Sequence, residues 1–370
     1  MGWLRNRDDE SLTLRALHAS DQLVEQGEWD EAVQCLSRAN RKQQDLALET
    51  RMLELRQAAF EQLAAQATGQ PWPRQAPSPF PEGTLIPEIK ARDMTVDTVA
   101  AGIQHHGSII VRGLLDRATA EDIRQGIDAA FDSRVAVNGD PDQPGEPWYV
   151  PFRPDGGSRK VSEMDRAYVS DAGGLFAVDS PRTLYLYLEA LRGVGFEEFL
   201  HEYFGERPAL SAKKSTLRRT EPDAVAGWHQ DGSFLGDKTR SLNIWTAFTP
   251  CGVDAPGLDL FAERFDELVE MGGTDIFDWS VSDETANHYG MDKVVRPVFE
   301  PGDAILFDQL TLHRTAVDSA MDKRRYAIEM WFFAPTVFPL EQIPLYLLSS
   351  APKGIVARML RACRSVLAAR

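Results

Sequence analysis

Cysteine is scarce in this chain. Cys35, Cys251 and Cys363 stand far apart with no paired spacing. That pattern excludes a disulfide framework and a zinc knuckle and fits a reducing compartment. Long hydrophobic runs are absent too, so no stretch reads as a membrane span. The opening residues, Met1 to Glu10, lack the apolar core of a secretory signal and soon turn acidic, and a cytoplasmic location is expected. Positive charge is in deficit: 40 Lys and Arg against 56 Asp and Glu give a formal net charge of −16. Such a surface repels phosphate backbones, so nucleic acid is not an expected partner. What is present suffices for a full core, since 43% of the 370 residues are hydrophobic. The length accommodates one large domain and a small one.

The first 68 residues read as helical. Leu14, Leu17, Leu23 and Val24 recur at helical spacing. Gly27, Trp29, Ala32 and Val33, then Leu36 and Ala39, resemble the turn and second helix of a tetratricopeptide repeat. One repeat cannot bury its own face, so a helical hairpin is expected rather than an array. It is a candidate surface for a protein partner or for self-association. Residues 69–87 are a proline-rich linker, whose Trp72 and Phe80 are expected to pin it to a domain surface. Residues 88–340 form the main domain and residues 341–370 a helical tail. The tail is basic and amphipathic, and packing on the protein's own acidic surface is expected over stable membrane insertion.

Within the main domain, Ile109–Val111 reads as a buried strand between two helices. The loop from Asn138 to Gly157 carries Trp148, Tyr149 and Phe152, which either face substrate or anchor the loop. Leu210–Thr220 reads as one strand with Lys214, Thr216 and Arg218 on one face. If that face is inward, Thr216 or Lys214 would touch a cosubstrate. His105 and His106 are neighbours on a helix and do not face one way, which argues against a metal role. The stretch Phe265–Asp292 reads as a lid or specificity insertion, and its His288 as a structural or substrate contact.

The chemistry concentrates in two places. His229 and Asp231 are two residues apart, and in an extended strand both point to one face. His313, from a distant strand, would complete a set of two His and one carboxylate. That set leaves half an octahedron open, as a non-haem Fe(II) oxygenase requires. Arg325 opens the strand Tyr326–Phe333. An Arg there can hold the distal carboxylate of 2-oxoglutarate by a bidentate pair of hydrogen bonds. Arg324 is the alternative. Arg325 is preferred because it shares its face with Ala327 and Glu329, a small and polar set suited to a barrel interior.

These motifs together resemble the phytanoyl-CoA dioxygenase family. The resemblance rests on His229-Gln230-Asp231, Leu242–Ala247, Pro301–Phe307, His313 and Arg325, and spans roughly Val96 to Pro335. It implies a double-stranded β-helix, or jelly-roll barrel, mainly β with flanking helices. It implies Fe(II) held by His229, Asp231 and His313, 2-oxoglutarate as cosubstrate with O2, and Arg325, Trp245, Thr315 and Thr216 as candidate cosubstrate contacts. The implied reaction is hydroxylation of a C–H bond in a small-molecule or acyl substrate, with release of succinate and CO2. An inactive barrel serving as a scaffold, or a cupin-type metal enzyme without 2-oxoglutarate, are the rivals. Neither would need Arg325.

Overall fold

The computed structural model describes residues 3–65, 69–139, 147–154, 159–224, 227–271 and 280–349. The chain divides into two units, residues 1–63 with 346–370 and residues 64–345. Most of the expected C-terminal tail, residues 350–370, lies outside the described residues, as do Cys363 and Trp279. Pro344–Tyr346, expected to be helical, is a strand.

The first unit holds three helices, consistent with the helical reading: α1 Trp3–Glu25, α2 Trp29–Lys42 and α3 Leu46–Gln62. Gly27, in the left-handed region at φ 78°, makes the turn before α2. Ala32, Val33, Leu36, Leu48, Leu55 and Ala59 are buried between the helices. Asp45 caps α3 by accepting from the Ala47 amide, and Asn40 bonds Glu49 inside the unit.

The second unit is built on two sheets. Its elements run β1 Glu88–Lys90, α4 Val96–His106, β2 Ser108–Arg112, α5 Arg117–Gly139, α6 Glu163–Asp171 and β3 Gly174–Phe176. Then come α7 Pro181–Gly193, α8 Phe196–Phe204, β4 Ala209–Ser211, β5 Thr216–Thr220 and α9 Gly232–Leu235. The remainder is β6 Ser241–Ala247, β7 Gly257–Phe261, α10 Asp283–Tyr289, β8 Val294–Val295, β9 Ala304–Phe307, β10 His313–Ala316, β11 Arg325–Phe333 and β12 Pro344–Tyr346. Among the described residues the larger sheet has nine strands in the order β1-β2-β9-β6-β11-β4-β12, with β5 pairing β11 and β3. The smaller sheet is β10-β7-β8. Phe307 of β9 packs on His313 of β10, and Arg325 of β11 donates to the Gly257 carbonyl of β7. The sheets therefore face each other as a double-stranded β-helix with helices outside.

Register decides what faces inward. Ala327 pairs with both Ala247 and Arg218, Glu329 with Trp245 and Thr216, and Trp331 with Asn243. Paired residues share a face, so these side chains form rows across the interior. The single expected strand Leu210–Thr220 is two strands, because the chain turns at Lys213 and Lys214, where the Ser211 hydroxyl accepts from the Lys214 amide. At the Pro301-Gly302-Asp303 turn, Gly302 sits at φ 92°, and a Cβ there would collide with the Leu115 carbonyl. The expected linker is pinned as read: Trp72 stacks on Phe204 and Phe80 meets His106 edge-on.

Candidate metal centre

The site is assembled by a local pairing across the barrel mouth. The His229 amide donates to the His313 carbonyl at 2.9 Å and the His313 amide returns the bond at 3.0 Å. This reciprocal pair sets the two imidazoles side by side, 4.4 Å between centroids. Each ring has its Nδ1 3.0 Å from a backbone carbonyl, Gly227 for His229 and Thr311 for His313. A carbonyl only accepts, so Nδ1 carries the proton in each neutral ring and Nε2 is the ligating nitrogen.

Asp231 arrives differently from the sequence expectation. It is not extended: at φ −63°, ψ −23° it begins α9, and its carbonyl accepts from the Leu235 amide. Between them, Gln230 turns away and clamps the segment. Its amide donates to the Leu310 carbonyl and accepts from the Val269 amide, each at 2.6 Å. Gly232 follows because a Cβ there would lie 2.9 Å from Leu268 and 3.0 Å from the Gln309 carbonyl. The result is one group in which the ligand atoms of His229, Asp231 and His313 lie within 4.8 Å of one another.

The group suits a metal on its own chemistry. Asp231 is 1% exposed, and the Lys214 ammonium stands 2.8 Å from one of its carboxylate oxygens. The other oxygen faces His313 Nε2 at 3.7 Å, beyond hydrogen-bond reach. A buried carboxylate with one oxygen left unpaired beside two imidazoles favours a further cation. Burial, then the neighbouring His313, push the His229 pKa down to about 4, so the ring is neutral and ready to ligate. Two neutral imidazoles and one carboxylate are the donor set of a first-row divalent metal.

Deeper along β11 lies Arg325. It is 3% exposed, donates to the Gly257 carbonyl at 2.8 Å and the Thr220 hydroxyl at 2.9 Å, and leaves Nε without a partner. No carboxylate pairs with it among the described residues. Burial lowers its pKa to about 10, a mark of a guanidinium kept short of anions. Its guanidinium lies 5.3 Å from the Trp245 ring. Arg324 points outward to Glu221 at 2.7 Å. Trp245, buried on β6, is thus the aromatic neighbour of Arg325. Thr315 is half-buried, two residues along β10 from His313 and so on its face. Thr216 instead turns its hydroxyl to Glu329 at 3.4 Å.

Sequence reading alone did not anticipate a charged cluster here. Glu329 pairs with Lys214 at 3.0 Å and Arg218 at 2.7 Å, and accepts from the Trp331 indole at 2.9 Å. Burial opposes the charge on Glu329, but Lys214 and Arg218 overcome it and hold its carboxyl well below the usual range. Asn243, in the row of Trp331, is buried with both amide atoms unpartnered. Period two flagged the face; only the register of β5 against β11 brings these charges together.

Other expectations sort plainly. His105 and His106 each bond a backbone carbonyl, of Ala76 and Leu85, and join no ligand group. His288 is exposed beside Tyr289. Tyr149 and Phe152 are buried, and Arg182 lies over Trp148 at 5.5 Å, so these aromatics anchor their loop. Part of that loop, residues 140–146 and 155–158, lies outside the described residues.

Residues 211–325 match the family model described as Phytanoyl-CoA dioxygenase (PhyH). Over this stretch the chain is similar to that family, in line with the resemblance read from the sequence. The matched segment contains all three residues of the candidate metal group and ends at Arg325. Solved structures with a similar course include EctD from S. alaskensis with 2-oxoglutarate and 5-hydroxyectoine, at 14% identity and TM-score 0.43, covering 73% of this chain and 84% of that one. The carbocyclase SnoK from nogalamycin biosynthesis matches at 13% identity and TM-score 0.45, over 73% and 93% of the two chains. The epimerase SnoN, solved with Fe3+, alpha ketoglutarate and nogalamycin RO, matches at 16% identity and TM-score 0.42, over 71% and 88%. These likenesses are too distant to carry any statement about this chain's reaction. No curated protein matches the chain.

Proposed function

We propose that this protein is a non-haem Fe(II)- and 2-oxoglutarate-dependent oxygenase that hydroxylates a C–H bond of a small-molecule or acyl substrate. The observation that carries the reading is the presence of two ligand-seeking groups inside one barrel, His313 on the smaller sheet and Arg325 on the larger. Asp231 and the two His Nε2 atoms make a clustered three-ligand group, and Arg325 is a buried cation with no carboxylate partner among the described residues. A metal enzyme without 2-oxoglutarate would account for the first and leave the second unexplained.

In this reading His229, Asp231 and His313 hold the iron on one face, with Nδ1 of both rings tied to carbonyls so that Nε2 is presented. Arg325 binds the distal carboxylate of 2-oxoglutarate and Trp245 walls its path. Bound Fe(II) supplies activation of O2 coupled to decarboxylation of 2-oxoglutarate to succinate and CO2. The buried aromatic side chains of Trp331, Phe307 and Trp245 keep bulk water from that chemistry.

The reading is tested by incubating the protein with Fe(II), 2-oxoglutarate, labelled O2 and a panel of small acids, amides and acyl compounds. Succinate formation stimulated by one of them, with one labelled oxygen in the product, supports it. Product formed without consumption of 2-oxoglutarate contradicts it.

A further inference from the structure

The interior of the barrel holds more positive charge than the proposed cofactors use. On the rows facing inward and at the metal group, the charged side chains are Lys214, Arg218 and Arg325 against Asp231 and Glu329. That is one positive charge in excess. Fe(II) would add two and the 2-oxoglutarate dianion would remove two, so one positive charge still stands beside the site. An uncompensated charge in such a place is costly.

The excess can be located. Arg325 is buried and answers 2-oxoglutarate. Lys214 and Arg218 instead share the single carboxylate of Glu329, and their side chains stay 15% and 19% exposed. Lys214 also reaches Asp231 at 2.8 Å, so it stands next to the metal group, and Arg218 joins it through Glu329. The Lys214 ammonium lies 4.9 Å over the Phe234 ring, which gives the subsite an apolar floor. As a device for stability the cluster is a poor choice, because well-packed apolar side chains do as well as buried ion pairs.

Resting on the iron and 2-oxoglutarate reading, we propose that the substrate is an anion whose carboxylate group is received by Lys214 and Arg218 beside the metal. Lys214 and Arg218 are then specificity-determining residues, and Glu329 holds the two cations in place when substrate is absent. Binding brings the site's charge to balance.

The experiment uses the full chain under anaerobic conditions with Fe(II) and saturating 2-oxoglutarate, read by the visible charge-transfer band of the iron chelate. Straight-chain carboxylates of two to ten carbons are titrated beside the amides of equal length. The expected result is a shift of the band, not its loss, at concentrations about tenfold lower for carboxylates, the scale of one charge-assisted contact. Arg218→Met and Lys214→Met should erase the difference, while Arg218→Lys should restore part of it. Equal concentrations for acids and amides, or a preference that survives both Met variants, would overturn the inference while leaving the iron reading intact. Absence of the band in the wild-type protein would instead contradict the iron reading itself.

Discussion

His229 and His313 are hydrogen-bonded to each other through their backbones, amide to carbonyl in both directions, at 2.9 and 3.0 Å. Two residues 84 positions apart are thereby held in register as firmly as neighbours in a sheet. The ring positions depend on that bridge and on the carbonyls of Gly227 and Thr311, so they exist before any ligand arrives.

Arg325→Leu should raise the 2-oxoglutarate concentration needed for half-saturation by a factor corresponding to ~2–5 kcal/mol, the loss of a buried bidentate partner. Arg324→Leu, whose partner is the surface Glu221, should change it little. A 2-oxoglutarate titration of both variants checks the ranking, and the reverse order would move the anchor.

The metal-free protein should lose stability as pH falls from about 6.5 toward 4. The His229 pKa is depressed in the fold to about 4 by burial and His313, so the unfolded chain takes up the proton first. This contribution is fully present above the ordinary histidine pKa and gone once the folded value is passed. Thermal midpoints across that window, compared with His229→Gln, check the sign; an equal slope in the variant would remove His229 as the cause.

Arg166 pairs bidentately with the buried Asp179, at 2.8 and 3.1 Å, and also caps the Phe152 carbonyl. Removing it strands a buried carboxylate. Arg166→Leu should therefore cost roughly 3–5 kcal/mol of unfolding free energy, measured by urea titration. A cost near zero would show that the pair is dispensable for folding.

A chain starting at residue 64 should still bind iron and 2-oxoglutarate, because no residue of the proposed site precedes Lys214. A start near Pro81 should be less stable, since Trp72 stacks on Phe204 and Arg74 donates to the Glu202 carbonyl within the same unit. Circular dichroism and the chelate band on both fragments check this. Loss of the band in a well-folded fragment from residue 64 would give the N-terminal helices a part in the site.

Much of this site was legible because its chemistry rests on short patterns. His229-Gln230-Asp231, His313 and Arg325 each carry a residue type that the chemistry requires, and period two on β11 put Arg325 on the inward face and Arg324 on the outward one. The geometry behind the pattern was not legible. Asp231 reaches the group by entering a helix, which i, i+2 reasoning on a strand does not foresee. The break at Lys213 and Lys214 was hidden because the residues on either side keep an unbroken alternation. The meeting of Lys214, Arg218 and Glu329 is a matter of β5–β11 register, a tertiary fact that no local window contains. In the N-terminal unit the helical spacing and the Gly27 turn located the helices, because both signals are local.

The central claim is that His229, Asp231 and His313 hold an iron to which 2-oxoglutarate is delivered by Arg325. Its most direct test is the visible spectrum of the purified protein with Fe(II) and 2-oxoglutarate in the absence of O2. The account predicts a weak charge-transfer band in the wild type that is absent in His229→Ala and in His313→Ala. A band that survives in both variants would contradict it.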